Sequence, residues 1–320
     1  MIEKFHIPNK GGNLNILATT RVITDIGAGT WTKPANLLYI DVIAIGGGGG
    51  GGSGRKGLAS THRCGGCGGS HGAMARNRIS ASLLGASENY YVGEGGIGGA
   101  AIALDSTSGN SGTDGGDTYL SSFVIAQGGF GGVGGANGTA TTAQAGQGIS
   151  LQTPPIYPLS IGSGEGRNAS NTTGGNYGQN TFYVVGAGKF LPAGNGGGLN
   201  TANIETAGGA GGEWNQDNGH LSTPPAGGAA FTNGSSGTDN VWTALGLTGD
   251  VYLIGIGDSG SGGGSHYLSG AKGGNGGNGG LYGGAGGGGG ASTNTVAGGD
   301  SGKGGDGAQG LLIIIEYTTY

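Results

Sequence analysis

Two segments of this chain are apolar at nearly every position, Leu37-Leu38-Tyr39-Ile40-Asp41-Val42-Ile43-Ala44-Ile45 near its start and Leu311-Leu312-Ile313-Ile314-Ile315 at its end. Continuous apolar runs of this length suit strands covered on both faces, so the two are expected to pair. Leu14 to Leu17 and Arg21 to Ile23 are shorter candidate strands, and Gly27-Ala28-Gly29-Thr30 and Lys33-Pro34-Ala35-Asn36 carry turn signals. Further strand-like segments, Phe123-Val124-Ile125, Phe182-Tyr183-Val184-Val185 and Val251-Tyr252-Leu253-Ile254, lie between runs of glycine. Ala73 to Leu84 carries Ile79 and Leu83 at helical spacing and predicts one short helix.

Glycine changes this picture most. Of the 87 glycines only Gly11, Gly12, Gly27 and Gly29 precede Gly46. An ordered glycine loses more backbone entropy than any other residue, so such a stretch cannot build an ordinary core. Collagen is excluded because the spacing is irregular rather than every third residue. Low-complexity disorder is opposed by the strand-like segments between the runs.

A bundle of polyproline II-like polyglycine helices remains. Such a helix makes no internal hydrogen bonds, so a neighbouring backbone must come close enough to satisfy it, and an inward Cβ would prevent that. Gly273-Gly274-Asn275-Gly276-Gly277-Asn278-Gly279-Gly280 fits a Gly-Gly-X register, with Asn275 and Asn278 in the outward row. Gly128 to Ala136 fits it too, with Phe130, Val133 and Ala136 turned to a neighbour or an inner layer. Gly46 to Gly54, Gly65 to Gly72, Gly93 to Gly99, Gly194 to Gly198, Gly208 to Gly212, Gly260 to Gly264 and Gly298 to Gly307 would be further passes, and Tyr282 marks a turn. The expected fold is therefore mainly β and irregular. Residues 1–45 and 311–320 form a small β-sandwich base for attachment, and 46–310 form an inserted polyglycine II bundle with variable loops.

The net charge of −5 argues against generic nucleic-acid binding. No apolar run reaches the ~18 residues that a membrane span needs, and no basic region precedes an apolar run to make a signal peptide. No phosphate-binding loop or nucleophile elbow has its required context, so no enzyme and no cofactor are expected.

Three groups of residues carry candidate chemistry. Tyr90, Tyr91, Tyr157, Phe190, Trp214, Trp242 and Tyr267 lie between glycine runs, where aromatic rings suit sugar stacking or apolar contact, or simply pack on their own loops. Arg55, Lys56, Arg63, Arg76 and Arg78 share a segment without an acidic residue, which is either a patch for phosphate or carboxylate groups or a solvated loop. His62, Cys64, Cys67 and His71 have zinc-ligand chemistry, but the histidines flank the cysteines tightly. A disulfide between Cys64 and Cys67, or two free thiols, is the stronger expectation.

Gly29-Thr30-Trp31-Thr32, the turn at Pro34, the strand Leu37 to Ile45 and the run Gly46 to Gly52 resemble the opening of glycine-rich domains in bacteriophage tail-fibre proteins. Gly310 to Tyr317 resembles their terminal strand, and the interior is similar in style to the distal adhesins of T-even phages. The resemblance implies a receptor-binding protein at a tail-fibre tip of the virion. It would contact other tail-fibre or baseplate proteins and a host surface receptor, either an outer-membrane protein or an envelope polysaccharide. Neither nucleic acid nor membrane insertion is implied, and three-fold fibre tips suggest a homotrimer. The competing reading is a tail-fibre or baseplate spacer that binds no host. An ice-binding bundle would need a flat, regular face, which the long irregular loops oppose.

Overall fold

A computed structural model describes residues 2–7, 16–138, 140–141, 150–152, 159–161, 169–170, 189–190, 193–212, 214–216, 219–220, 225–245, 251–268, 270–294 and 299–319. In chain order the first strands are β1 (Ile2–Ile7), β2 (Ile16–Ile23), β3 (Gly27–Thr32), β4 (Leu37–Ile45), β5 (Lys56–Gly57), β6 (Met74–Ser80), β7 (Ser87–Val92), β8 (Thr118–Leu120) and β9 (Val124–Ala126). The carboxy-terminal strand is Leu311–Thr319. The described residues contain no α-helix, and the regular structure is almost all strand.

The two long apolar strands pair directly and antiparallel, with Ile313 opposite Ile43 and Leu311 opposite Ile45. They lie inside a six-stranded sheet ordered β1, β2, carboxy-terminal strand, β4, β6 and Leu159–Ile161. Alternation then explains why nearly every position is apolar. Ile43, Ile45, Leu311, Ile313 and Ile315 bury into one cluster, while Ile40, Val42, Ala44, Leu312 and Ile314 bury into another on the opposite face. The second cluster is closed by Trp31, Val92, Leu120, Val124 and Ala126 from a five-stranded sheet ordered Ser150–Gln152, β9, β8, β7 and β3. The base is a sandwich.

Two expectations differ from this structure. The sandwich is not built by the chain ends alone, because β6 to β9 come from within residues 46–310. Successive excursions from the glycine region return to the base and extend its sheets. The short helix expected over Ala73 to Leu84 is instead β6 followed by a single 3-10 turn, Ala81–Leu83. Pairing with β4 along its whole length outweighs the local helical spacing, burying Ile79 and leaving Leu83 exposed. The expected strands at Leu14–Leu17 and Arg21–Ile23 are one strand, β2.

The glycine runs satisfy one another's backbones with a period of three. Along Gly46 to Gly54, the amides of residues 46, 49 and 52 donate to Ala73, Ser70 and Cys67. Those of 47, 50 and 53 donate to Gly116, Thr113 and Asn110, and those of 48, 51 and 54 to Ala308, Gly305 and Gly302. The carbonyls follow the same rule, since Gly47, Gly50 and Ser53 accept from Gly129, Gly132 and Gly135. Gly48 and Gly51 accept from Gly96 and Gly99, and Gly49 and Gly52 from Gly286 and Gly289. Six neighbouring runs thus surround this one, three antiparallel and three parallel to it. The approach is too close for a side chain: a Cβ on Gly51 would lie 2.0 Å from the Gly287 carbonyl oxygen, and one on Gly48 would lie 2.1 Å from that of Gly284.

At the edges of the bundle, where no backbone neighbour remains, side chains take over the same job. Asp117, Asp114 and Ser111 accept from the amides of Gly128, Gly131 and Gly134. Asn275 and Asn278 accept from Lys303 and Asp306, each at 2.9 Å. The asparagine row is exposed, as expected, and it also closes the hydrogen-bond ladder. The turn expected at Tyr282 is present.

Candidate functional site

Because passes successive in the chain run in alternate directions, their connections gather at two ends. The near end is the sandwich, where Gly46, Ala73, Gly93, Gln127 and Gly310 adjoin β strands. At the far end Lys56 bridges Thr107, Arg63 bridges Leu199, Leu199 bridges Glu205 and His266 bridges Ser292. The far-end turns are tied to one another. The Ser60 amide donates to Asn203 Oδ1 at 2.9 Å, and Ser106 and Asn294 exchange two bonds of 2.9 Å. Glu205 accepts from the Tyr267 amide at 3.0 Å and lies 3.1 Å from His266 Nδ1, whose ring packs 4.6 Å from that of Phe231.

On this tied frame sit exposed apolar side chains: Leu58, Leu104, Ile204, Phe231, Tyr267 and Leu268. Leu104 is the most exposed of them, at 74 %. The exposed residues Ile26, Ile97, Leu83 and Leu281 lie away from this end. The candidate site is therefore a far-end cap of apolar tips rising from short, mutually hydrogen-bonded turns.

The aromatic candidates do not converge there. Tyr267 belongs to the cap. Tyr90 and Tyr91 lie in β7 of the base, where Tyr90 packs against the sandwich core and Tyr91 stacks on Tyr119 at 5.8 Å. Phe190 and Trp214 sit in paired strands, Lys189–Phe190 with Trp214–Gln216. Trp242 sits in the hairpin of Asp239–Leu245 with Val251–Gly257. Both of these assemblies are rooted at the near end, since Gly212 and Thr238 bond to Ser259 and Asp258 there. Tyr157, and the segment Phe182 to Val185, lie outside the described residues.

The five cations do not form one solvent-facing patch. Arg76 and Arg78 are in β6 beside buried Asp41, which takes Nε and Nη2 of Arg78 at 2.7 Å each and lies 3.7 Å from Arg76 Nη2. Paired with this carboxylate and lying over the Tyr39 ring, Arg78 is held above its ordinary pKa. Lys56 is buried and pairs with Asp105 at 3.0 Å. Arg55 and Arg63 are buried beneath the far-end cap. A segment without acidic residues gives no sign of Asp41 or Asp105, which arrive from elsewhere in the chain.

Cys64 and Cys67 are both fully buried on one glycine pass and are not joined in a disulfide. His71 is buried with Nδ1 2.7 Å from the Gly72 carbonyl oxygen and Nε2 3.1 Å from that of Gly257. Burial pushes its pKa below the usual histidine range against the pull of those carbonyls and of Asp258. Among the described residues no three His, Cys, Asp or Glu side chains are grouped to hold a metal ion.

One cleft of about 300 Å³ lies at the base, lined by Arg21, Val22, Ile23, Thr30, Trp31, Thr32 and Tyr90. Its floor is structural: Glu316, buried below, accepts from Arg21 Nε and from Trp31 Nε1 at 2.7 Å. The apolar tips Leu58, Leu104, Ile204, Phe231 and Leu268 were not singled out by sequence reasoning. Their signal is a lone large apolar residue in a short polar turn between two glycine runs.

Among curated proteins, none matches this chain. The model of a family described as a glycine-rich domain matches residues 23–318, and the chain belongs to that family.

Proposed function

We propose that the chain is a bacteriophage tail-fibre adhesin that binds a host surface receptor through its far-end cap. The observation that carries this reading is the gathering of exposed apolar tips at one end of a backbone-bonded scaffold. Loops on a rigid support are where recognition usually resides. Exposed apolar side chains gathered at one end of a folded protein are a candidate contact surface for a partner.

In this reading the three-residue alternation of partners is a polyglycine II bundle, which has three residues per turn and no internal bonds. The bundle fixes the turns without contributing side chains of its own. The sandwich at the opposite end attaches the molecule to other tail-fibre or baseplate proteins. Binding would be non-covalent and strengthened by multiple copies, because linked weak contacts multiply.

The test is adsorption of the purified protein to bacterial envelope fractions, separated into outer-membrane protein and polysaccharide. The triple variant Leu104→Ser, Ile204→Ser, Leu268→Ser is expected to keep its thermal midpoint and lose adsorption by tenfold or more. Unchanged adsorption, or no binding by the unaltered protein to any fraction, would leave the spacer reading in its place.

A further inference from the structure

Arg55 and Arg63 stand apart from the other buried cations. Lys56 pairs with Asp105, Arg76 and Arg78 with Asp41, and half-exposed Arg21 with Glu316. Among the described residues no carboxylate pairs with Arg55 or Arg63, although Arg55 is only 9 % exposed and Arg63 is fully buried. Their partners are all neutral. Arg55 donates Nη1 to Ser108 Oγ at 3.0 Å and Nη2 to the Ser106 carbonyl at 3.4 Å. Arg63 donates to Thr293 Oγ1, to Asn203 Oδ1 and to the carbonyls of Thr61 and Asn200.

The two guanidinium groups also act on each other. Burial and the charge of Arg55 together hold Arg63 down to about 10. Burial lowers Arg55 as well, with the nearby Cys64 sulfur opposing. Gly57 lies between the pair: a Cβ there would meet Arg63 Cγ at 2.9 Å and Arg55 Nε at 3.2 Å. Arg55 Nε is buried and has no hydrogen-bond partner. A buried cation without a counter-charge is strongly unfavourable, and an orphaned donor adds its own desolvation cost.

We propose that the far-end cap binds one oxyanion (a sulfate, phosphate or carboxylate group) at Arg55, with Arg63 behind it supplying a second positive charge. Ser106 and Ser108, which hold the Arg55 guanidinium, are both exposed, so the guanidinium lies directly beneath the surface of the cap. A planar guanidinium whose buried Nε has no hydrogen-bond partner suits an oxyanion that bridges two of its donors. The Ser108 hydroxyl can turn to donate to the same anion. As a host contact this rests on the adhesin reading and specifies an acidic group on the receptor. Anion binding itself does not depend on that reading.

Sodium sulfate is the probe, titrated calorimetrically into the full chain against sodium chloride at matched ionic strength. The expected result is saturable binding at one site. Sulfate also stabilises proteins generally by exclusion from their surfaces, which gives an unsaturating rise in thermal midpoint. Only the saturable part should vanish in Arg55→Gln, while Lys303→Gln on the bundle flank should keep it. A response that never saturates, or that is equal in Arg55→Gln, overturns the site. Should Arg55→Gln fail to fold, selenate soaked into crystals of the unaltered protein provides the second measurement. An anomalous peak within hydrogen-bond distance of Arg55 supports the proposal and its absence defeats it.

A second arm replaces sulfate with glucuronic acid, which competes with sulfate if a sugar carboxylate is accepted. Competition assigns the site to acidic saccharides, and sulfate binding without competition confines it to inorganic oxyanions. Sulfate binding that persists while the adsorption assay finds no host contact would remove the adhesin reading and leave the anion site standing.

Discussion

Asp41 of β4 and Arg78 of β6 lie directly opposite each other and share two hydrogen bonds of 2.7 Å. The carboxylate is 1 % exposed, and the arginine is sandwiched against Tyr39, 4.5 Å from its ring centroid. Replacing Arg78 with methionine keeps the apolar contact and strands the carboxylate, which would retain Arg76 at 3.7 Å and the Tyr317 hydroxyl at 3.4 Å. Breaking a buried pair from one side costs about 3 kcal/mol or more. Urea unfolding should show a loss of that order for Arg78→Met, and a loss below about 1 kcal/mol would mean the pair is solvated.

Glycine at the centre of the bundle is required by distance. In Gly51→Ala the new Cβ would sit 2.0 Å from the Gly287 oxygen, so the two passes must part. Parting them weakens the bonds Gly286 to Gly49 and Gly289 to Gly52, each 2.9 Å long. Every buried backbone group left unpaired costs about 1–3 kcal/mol. Gly51→Ala should therefore unfold the bundle or lower its thermal midpoint steeply. Gly85→Ala, exposed and with its nearest atom at 3.3 Å, should change stability by about 0.5 kcal/mol or less.

His71 gives the fold a dependence on pH. Its pKa is lowered in the folded state, so below the ordinary histidine value the unfolded chain binds a proton that the folded chain refuses. Its contribution is thus fully present above about pH 6.5 and is lost as the pH falls toward the lower folded value, by up to about 1.4 kcal/mol per unit. The urea midpoint should drop between pH 7.5 and 5.5, and His71→Gln should flatten that slope. A midpoint that rises on acidification would mean instead that the protonated ring, donating to both Gly72 and Gly257, is the favoured form.

The polar row at the bundle edge makes a local prediction. Asn278 Oδ1 accepts from the Asp306 amide at 2.9 Å, while the Gly279 amide bonds to the Asp306 carbonyl. Asn278→Ala removes the first bond and leaves the second, at a net cost of about 1 kcal/mol. Hydrogen exchange should quicken at Asp306 and stay unchanged at Gly279. Equal quickening at both would indicate that the whole pass has loosened.

Much of the base was legible because a strand buried on both faces has no polar alternation to hide it. Leu37 to Ile45 and Leu311 to Ile315 could be recognised and paired across the whole glycine region. Met74 to Ser80 was not, because Ile79 and Leu83 satisfy a helical spacing and nothing local reveals the strand beside them. The three-residue pattern around Asn275 and Asn278 correctly marked an exposed edge. The role of the basic segment was illegible for a different reason. Charge pairing depends on residues such as Asp41 and Asp105 that are neighbours only after folding. The far-end tips were missed because one leucine in a turn carries no periodicity, and their meaning emerges only once successive passes bring the turns to one end.

The period of three also governs how such a molecule can change in length. Adding one residue inside a pass would hand every later amide to the wrong neighbour, whereas adding three restores the pairing and, at a polyproline II rise, would lengthen the pass by about 9 Å. Each lengthened pass then needs equally lengthened companions, so growth or shortening must occur across the bundle together. Turns at the tip face no such arithmetic, and a new turn of any size can be exchanged between two passes without altering a single bond below it.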